Sequence, residues 1–336
     1  MAEPISDRKR AHLDLCEQAE VEYARKTTLL EEVDLVHDAL PELAVAEIDV
    51  GASLLGKRLR APLLITGMTG GTSEAAEINQ ALARVAEEHG IAFGLGSQRA
   101  MQRAPELAYT FAVRAHAPTA LVLANLGLVQ AVGTPTAEVA KLVERVGADA
   151  VCIHLNPAQE MIQPGGDRDF RGGLAAFARL VRELPVPVVA KETGCGIAPA
   201  VALRLREVGV RTIDVSGAGG TSWVKVEALR ADDGGRVLGD EFADWGIPRP
   251  PPWRRCAGSA SRSWQAGASA PASTLPRPSR WGRGWQASRC PCSAPTARAA
   301  CPRRHAFSRA SPTGSGRPWC SPAPATWKRW DGRHLC

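Results

Sequence analysis

The sequence predicts an α/β chain built as a (β/α)8 TIM barrel of which six β/α units are readable. Three observations predict it. Short apolar runs alternate with helical patterns six times between residues 63 and 222, at a spacing of about 30 residues, as a parallel sheet with helical crossovers requires. Each run ends in polar or glycine-rich residues, like the open rim of such a barrel. No G-x-G-x-x-G follows the first run, and the decoration is spread over all six strand ends. A doubly wound sheet would gather its ligand contacts at one switch point.

The first 62 residues form an N-terminal segment. Residues 6–40 are polar, with three adjacent cations and a histidine in Ser6-Asp7-Arg8-Lys9-Arg10-Ala11-His12. Such a run usually reads as solvated surface. Good helix formers predict a helix over Glu17 to Thr27. The first strand is Leu63 to Met68, ending in Thr69-Gly70-Gly71, and Ile78, Leu82, Val85 and Ala86 then recur at helical spacing. Ile91 to Gly96 ends in Ser97-Gln98-Arg99, and Ala120 to Ala124 ends in Asn125. A helix is expected over 136–145, a strand over 150–155 and a helix over 174–183. Val186 to Ala190 ends in Lys191-Glu192, a helix covers 198–208, and Thr212 to Val215 ends in Ser216-Gly-Ala-Gly-Gly-Thr-Ser222.

The densest chemistry lies in Ala150 to Glu160, AVCIHLNPAQE. An apolar run suited to a buried parallel strand gives way to His154, Asn156, Gln159 and Glu160. A buried polar group without a partner costs about 1–3 kcal/mol, so four in seven residues argue for a wall facing solvent or ligand. The plainer reading is a helix start, with Asn156 as cap, Pro157 at the first position and Glu160 in the first turn.

Each other strand end also has two readings. Gly67-Met68-Thr69-Gly70-Gly71 lets backbone amides approach a flat ring or an anion, or is a plain βα turn. The glycines and hydroxyls of 216–222 suit a phosphate at a helix start. Lys191 needs a partner for its ammonium, which a flavin edge or Glu192 could supply. Arg99 could fork onto a diphosphate or form a surface ion pair. Asn125 could bond a pyrimidine edge or cap the next helix.

The composition breaks near Pro248. Residues 251–336 hold no Val or Ile and only Leu275 and Leu335, with fourteen Arg and one Lys against Asp331 alone. That is a formal +14 in a chain of +6, which leaves −8 for residues 1–250. The basic balance therefore says nothing about the partners of the globular part. Residues 249–336 read as a basic tail too poor in aliphatic residues to offset its ordering entropy. It is a frameshifted coding sequence, a disordered nucleic-acid-binding tail, or a Cys-rich metal module around Cys290, Cys292 and Cys301. The Trp-rich mixture and the lack of a paired C-x-x-C frame favour the frameshift. No apolar run suggests a signal peptide or membrane span. Three widely spaced cysteines, Cys16, Cys152 and Cys195, predict a reduced, cytoplasmic enzyme in residues 1–250.

Seven motifs occur in order over residues 6–248: R-K-x-x-H, G-M-T-G-G, G-S-Q-R, A-N-L-G, H-L-N-P-x-Q-E, K-E-x-G-x-G and S-G-A-G-G-T-S-W. Together they resemble the type II isopentenyl-diphosphate isomerases, flavin-dependent TIM-barrel enzymes. The resemblance implies isomerisation of isopentenyl to dimethylallyl diphosphate, with FMN reduced by NADPH or NADH, and Mg²⁺. It implies FMN contacts at Gly67, Met68, Thr69, Gly70, Ser97, Asn125, Lys191, Ser216 and Thr221. The substrate would meet Arg8, Lys9, His12, Ser97, Gln98, Arg99, Asn156 and Gln159. Gln159 and His154 would be catalytic and Glu160 the Mg²⁺ ligand, while Trp223 and Glu227 match further positions near the substrate. A homo-oligomer, tetramer or octamer, is also implied; apart from the resemblance, no membrane partner is expected and nucleic acid is the disfavoured one.

Two departures stand out. Ala11 replaces the acidic residue the family carries before its N-terminal His. The glycine-rich segments that complete the FMN phosphate site after strands seven and eight are missing, so weak FMN binding, unpaired sheet edges and a precarious fold are expected. The competing enzyme reading is a flavin-dependent 2-hydroxy-acid oxidase or dehydrogenase on the same kind of barrel. It would need a late His–Arg pair that the tail does not offer. An inactive truncated product with a nucleic-acid-binding tail is the remaining alternative.

Overall fold

In the computed structural model, residues 5–32, 37–248, 262–264 and 287–289 are described. Helix α1 (Ile5–Gln18) opens the chain. The helix expected over 17–27 does not form. Val21 and Tyr23 are buried and Glu22 between them is less so, the period-two pattern of an extended segment. The amide of Tyr23 donates to the Gly220 carbonyl (2.8 Å) and that of Ser222 to Val21 (2.8 Å). This pairing holds the chain straight where propensity alone favours a helix.

Strands β1 (Ala52–Leu54) and β2 (Lys57–Leu59) form a hairpin that the sequence reading missed. Its turn, Leu55-Gly56, has both φ angles positive, 49° and 86°, as a two-residue hairpin turn favours. Leu54 and Leu59 pack with Leu64, Ala92, Leu123, Cys152 and Val189 in one buried cluster. The hairpin thus plugs the amino-terminal end of the sheet's inner face.

The repeating units follow in the expected order. They are β3 (Leu63–Ile65), α2 (Ser73–His89), β4 (Ala92–Gly94), the short α3 (Arg99–Arg103), β5 (Val122–Gly127), α4 (Leu128–Gly133) and α5 (Thr136–Arg145). Then come β6 (Ala150–Leu155), α6 (Pro157–Ile162), α7 (Gly173–Glu183), β7 (Val188–Glu192), α8 (Pro199–Glu207), β8 (Thr212–Asp214), α9 (Trp223–Arg230) and α10 (Asp233–Glu241). Thr72 caps α2 by accepting from the Ala75 amide (3.1 Å), and Gly90 ends that helix at φ 60°. Of its expected apolar face, Ile78 and Ala86 are buried, but Val85 is exposed. Strands β3 to β8 are parallel and adjacent in sequence order, the wall of a (β/α)8 barrel through its sixth unit. Its outer face and the covering helices share the largest core, around Phe93, Phe111, Ile153, Phe177 and Leu205.

The edges of this wall differ from expectation. Two three-residue strands from the tail pair with them: β9 (Arg262–Trp264) lies parallel to β8, and β10 (Ala287–Arg289) antiparallel to β3. An edge offers unpaired amides and carbonyls to any segment whatever its side chains, so pairing needs no aliphatic run. The antiparallel β10 also departs from the all-parallel barrel. The remaining expectations for the tail, disorder, a metal module and nucleic-acid binding, lie outside the described residues. Among those described, no helix is long and apolar enough to cross a membrane.

Candidate active site

The register of the wall decides which polar side chains meet. His154 on β6 is level with Lys191 on β7, and Lys191 with Asp214 on β8. Their strand ends open into one cavity, lined from α1 and from the carboxyl ends of the strands. Helix α1 contributes Arg8, Lys9 and His12 to its lining, and the end of β3 contributes Thr66, Gly67 and Met68. Ser97, Arg99, Asn125, Gln130, His154, Asn156, Gln159, Glu160 and Gln163 come from the next three units. Lys191, Thr193 and Trp223 complete it. Arg8 and His12 are four residues apart on α1, and hence on one face.

The cations converge without saturating one another. Arg99 meets Asp167 (3.4 Å), yet its Nε, like that of Arg8, is buried with no hydrogen-bond partner. Burial, then the neighbouring Arg8, pushes the Lys9 ammonium down to about 8. An anion in the cavity would meet all three. Glu160, 6% exposed, accepts from Asn156 Nδ2 (3.0 Å) and from the Asp167 amide (2.8 Å). Asn156 precedes α6 as the helix-start reading requires, but its side chain makes no cap bond and turns instead to Glu160 and to Gln159 (3.3 Å).

His154 Nδ1 lies 2.7 Å from Asn125 Oδ1. With a carbonyl oxygen as partner, Nδ1 carries the proton and Nε2 is left an acceptor. Burial, with Lys191, Lys9 and Arg99 nearby, pushes this imidazole down to about 3. It is neutral at physiological pH, a fixed acceptor rather than a proton donor. Asn125 therefore caps no helix. Lys191 pairs with Asp214 (3.3 Å) and donates to the Glu192 carbonyl (2.8 Å), so the expected side-chain pair with Glu192 is absent.

Glu227 on α9, which the resemblance placed only as a further position near the substrate, is the hub of the α1 side. Wholly buried, it accepts from Gln159 Nε2 (3.1 Å) and Arg230 Nη1 (2.5 Å) and meets His12 Nε2 at 2.9 Å. Burial pushes its carboxyl up, but His12, Arg230 and Gln159 outweigh that and hold it below its ordinary value. In sequence, Glu227 and Arg230 look like a common surface pair three apart on a helix. Besides the resemblance, the apolar Val224, Val226 and Ala228 around Glu227, all buried, are the local signal that it is not. Thr66, Gln130, Gln163 and Thr193 were likewise missed.

Five expected contacts lie outside the cavity lining. Gln98, 1% exposed, spends its amide on backbone, donating to Leu142 O (3.1 Å) and accepting from Asn125 N (3.0 Å). Gly70 is pressed against Phe111, whose ring an added Cβ would enter. Thr69 is buried with its Oγ1 unpartnered. Thr221 bridges to Glu22. Ser216 is buried at φ 51° with its amide on Asp214 Oδ1 (3.0 Å). Among the described residues no cluster of three or more His, Cys, Asp or Glu could hold a metal. Burial raises the thiols of Cys16 and Cys195 to about 11 and that of Cys152 to about 12, so none is a nucleophile at neutral pH.

Residues 2–154 match a family model described as FMN-dependent dehydrogenase. An isopentenyl-diphosphate delta-isomerase from Synechococcus sp. is 51% identical over 246 residues, 73% of this chain and 71% of that protein. One from Methanothermobacter thermautotrophicus is 48% identical over 245 residues, 73% of this chain and 68% of its own length. A solved mandelate oxidase structure aligns over 78% of this chain and 77% of its own, at 15% identity and a TM-score of 0.45, too slight a likeness to bear on substrate.

Proposed function

The chain belongs to the type II isopentenyl-diphosphate delta-isomerase family, and from that premise we propose that it converts isopentenyl diphosphate to dimethylallyl diphosphate with reduced FMN and Mg²⁺. NADPH or NADH would keep the flavin reduced. The observation that carries the reading is the meeting of Arg8, Lys9 and Arg99 with Glu160 around one cavity. A diphosphate needs several cations, and Mg²⁺ takes one or two carboxylates plus substrate phosphate oxygens rather than a protein cage. A lone Glu160, oriented by Asn156 and the Asp167 amide, suits that coordination.

The residues present fit the ring of FMN, while the segments expected to complete its phosphate site are missing from the sequence. The Gly67-Met68 backbone with Ser97, Asn125 and Lys191 lines one wall, and an unpartnered buried hydroxyl, Thr69 Oγ1, stands beside it in sequence. These residues would hold the ring, with Lys191 placing a positive charge near its edge. When bound, reduced FMN supplies the acid–base chemistry that moves the double bond.

The protein's own part is to bind, orient and shield. Arg8, Lys9, His12 and Arg99 fix the diphosphate, so the hydrocarbon end can occupy only the remaining space. Gln159, held between Asn156 and Glu227, presents its amide to that end. Neutral His154 would offer Nε2 as an acceptor and repel no cationic character developing on the substrate carbon. Orientation of this kind can supply several kcal/mol of the barrier reduction.

Incubating the purified full chain with FMN, NADPH, Mg²⁺ and isopentenyl diphosphate, and following the product by NMR, tests the proposal. Dimethylallyl diphosphate should form only when flavin is reduced and Mg²⁺ is present. No conversion by a folded, flavin-loaded protein would refute it.

A further inference from the structure

The turn after β7 is held from within by one carboxylate. Glu192 Oε2 accepts from three successive amides, those of Gly194 (2.6 Å), Cys195 (2.6 Å) and Gly196 (2.8 Å). Successive amides converging on one point form a concavity that binds anions; here the chain fills it with its own side chain. Glu192 is 4% exposed, so water cannot replace those acceptor contacts. The outer side of the turn is tied separately. Tyr23 donates to the Gly194 carbonyl (2.8 Å), and the Ile247 amide to that of Cys195 (2.8 Å).

We propose that Glu192 is a positioning residue whose clamp on residues 194–196 aims Lys191 and Thr193 at the substrate cavity. The proposal rests on the isomerase reading only for what the cavity does. Lys191 precedes Glu192 and donates to its carbonyl (2.8 Å), while Thr193 lies between the carboxylate and the first amide it binds. Movement of the turn would therefore carry the Glu192 carbonyl away from the Lys191 ammonium and withdraw Thr193 from the wall. No role follows for Glu192 from the resemblance, because in sequence it reads as a mere partner for Lys191.

The charged and titratable groups facing Glu192 are Lys191 from its own strand, Cys195 from the turn and Tyr23 from the N-terminal segment. Burial pushes the Glu192 carboxyl up to about 7, against the pull of the three amides and Lys191. The clamp is then at full strength above neutrality and weakens as the carboxyl protonates below it.

The test uses the full chain with Glu192→Gln, which keeps the shape and one acceptor oxygen, and Glu192→Ala, which keeps neither. Hydrogen exchange on flavin-free protein should show the 194–196 amides exchanging roughly tenfold faster in Glu192→Gln and a hundredfold faster in Glu192→Ala. The β5 and β6 amides should keep their protection. In the loaded enzyme, kcat should fall at least tenfold in Glu192→Ala with KM for the diphosphate within threefold, since the cations that bind it lie elsewhere. The rise in rate centred near pH 7 should vanish in Glu192→Gln. Unchanged 194–196 exchange in both variants would overturn the proposal. So would protection lost across the whole sheet in both, which would make Glu192 a general stabiliser. The exchange arm needs no turnover, so it decides the clamp even for a chain that proves inactive.

Discussion

Replacing Glu227 tests how much of the site is organised by one buried charge. The side chain is fully buried, and Arg230, beside it, has 6% of its own side chain exposed. In Glu227→Ala that guanidinium loses this buried carboxylate partner. Breaking a buried pair by removing one partner costs about 3–5 kcal/mol. A domain is stabilised by only about 5–15 kcal/mol in total, so the variant should lose at least about a fifth of its stability. Glu227→Gln keeps an oxygen for His12 or Gln159 but not the charge, and should lose about 1.5–3 kcal/mol, the worth of a hydrogen bond to a charged group. Urea denaturation measures both, with midpoints falling in the order wild type, Gln, Ala at similar slope. Function should suffer in parallel, because Gln159 and His12 lose the acceptor that orients them; about a hundredfold loss in kcat/KM corresponds to about 2.7 kcal/mol. An alanine variant within 0.5 kcal/mol of wild type would refute the hub.

Three further outcomes follow from the geometry. Glu160→Gln should abolish Mg²⁺ dependence and most turnover while flavin absorbance on the protein is retained; turnover still responding to Mg²⁺ would remove Glu160 as ligand. Because Lys9 is depressed to about 8, diphosphate binding near pH 8 should take up protons, seen as a buffer-dependent heat in calorimetry, and Lys9→Arg should erase that dependence. His154 is held near 3 in the fold against about 6.5 when free. As pH falls below 6.5 the unfolded chain gains a proton the folded one refuses, so stability is lost towards pH 3, by up to about 1.4 kcal/mol per pH unit. His154→Gln should flatten that slope in denaturation curves taken at successive pH values.

What the sequence revealed follows from where its information lies. The strand at 150–155 and the helix at 136–145 appear at their expected bounds, because apolar periodicity reports burial directly. The cavity wall was legible for the same reason: polar residues at the end of a buried run have nowhere else to go. The helix expected over 17–27 failed because propensity is weak beside the backbone pairing of Val21 and Tyr23 with residues 220–222, contacts about two hundred residues distant. Glu227 was placed near the substrate by resemblance, but its role as a hub was not legible, because His12 and Gln159 reach it from α1 and α6 and helical spacing alone gives a helix face no depth. Gln98 shows the opposite error. Its place in G-S-Q-R suggested substrate, but its amide is committed to Leu142 and Asn125, a contact set that only coordinates reveal.

The central claim is that Arg8, Lys9, Arg99 and Glu160 form one diphosphate site. Calorimetric titration of isopentenyl diphosphate into the full chain, with and without Mg²⁺ and against Arg8→Ala and Arg99→Ala, tests it most directly. One site per chain should saturate with Mg²⁺, and removing the metal or either arginine should weaken binding at least tenfold, about 1.4 kcal/mol each. Affinity indifferent to all three changes would contradict the account.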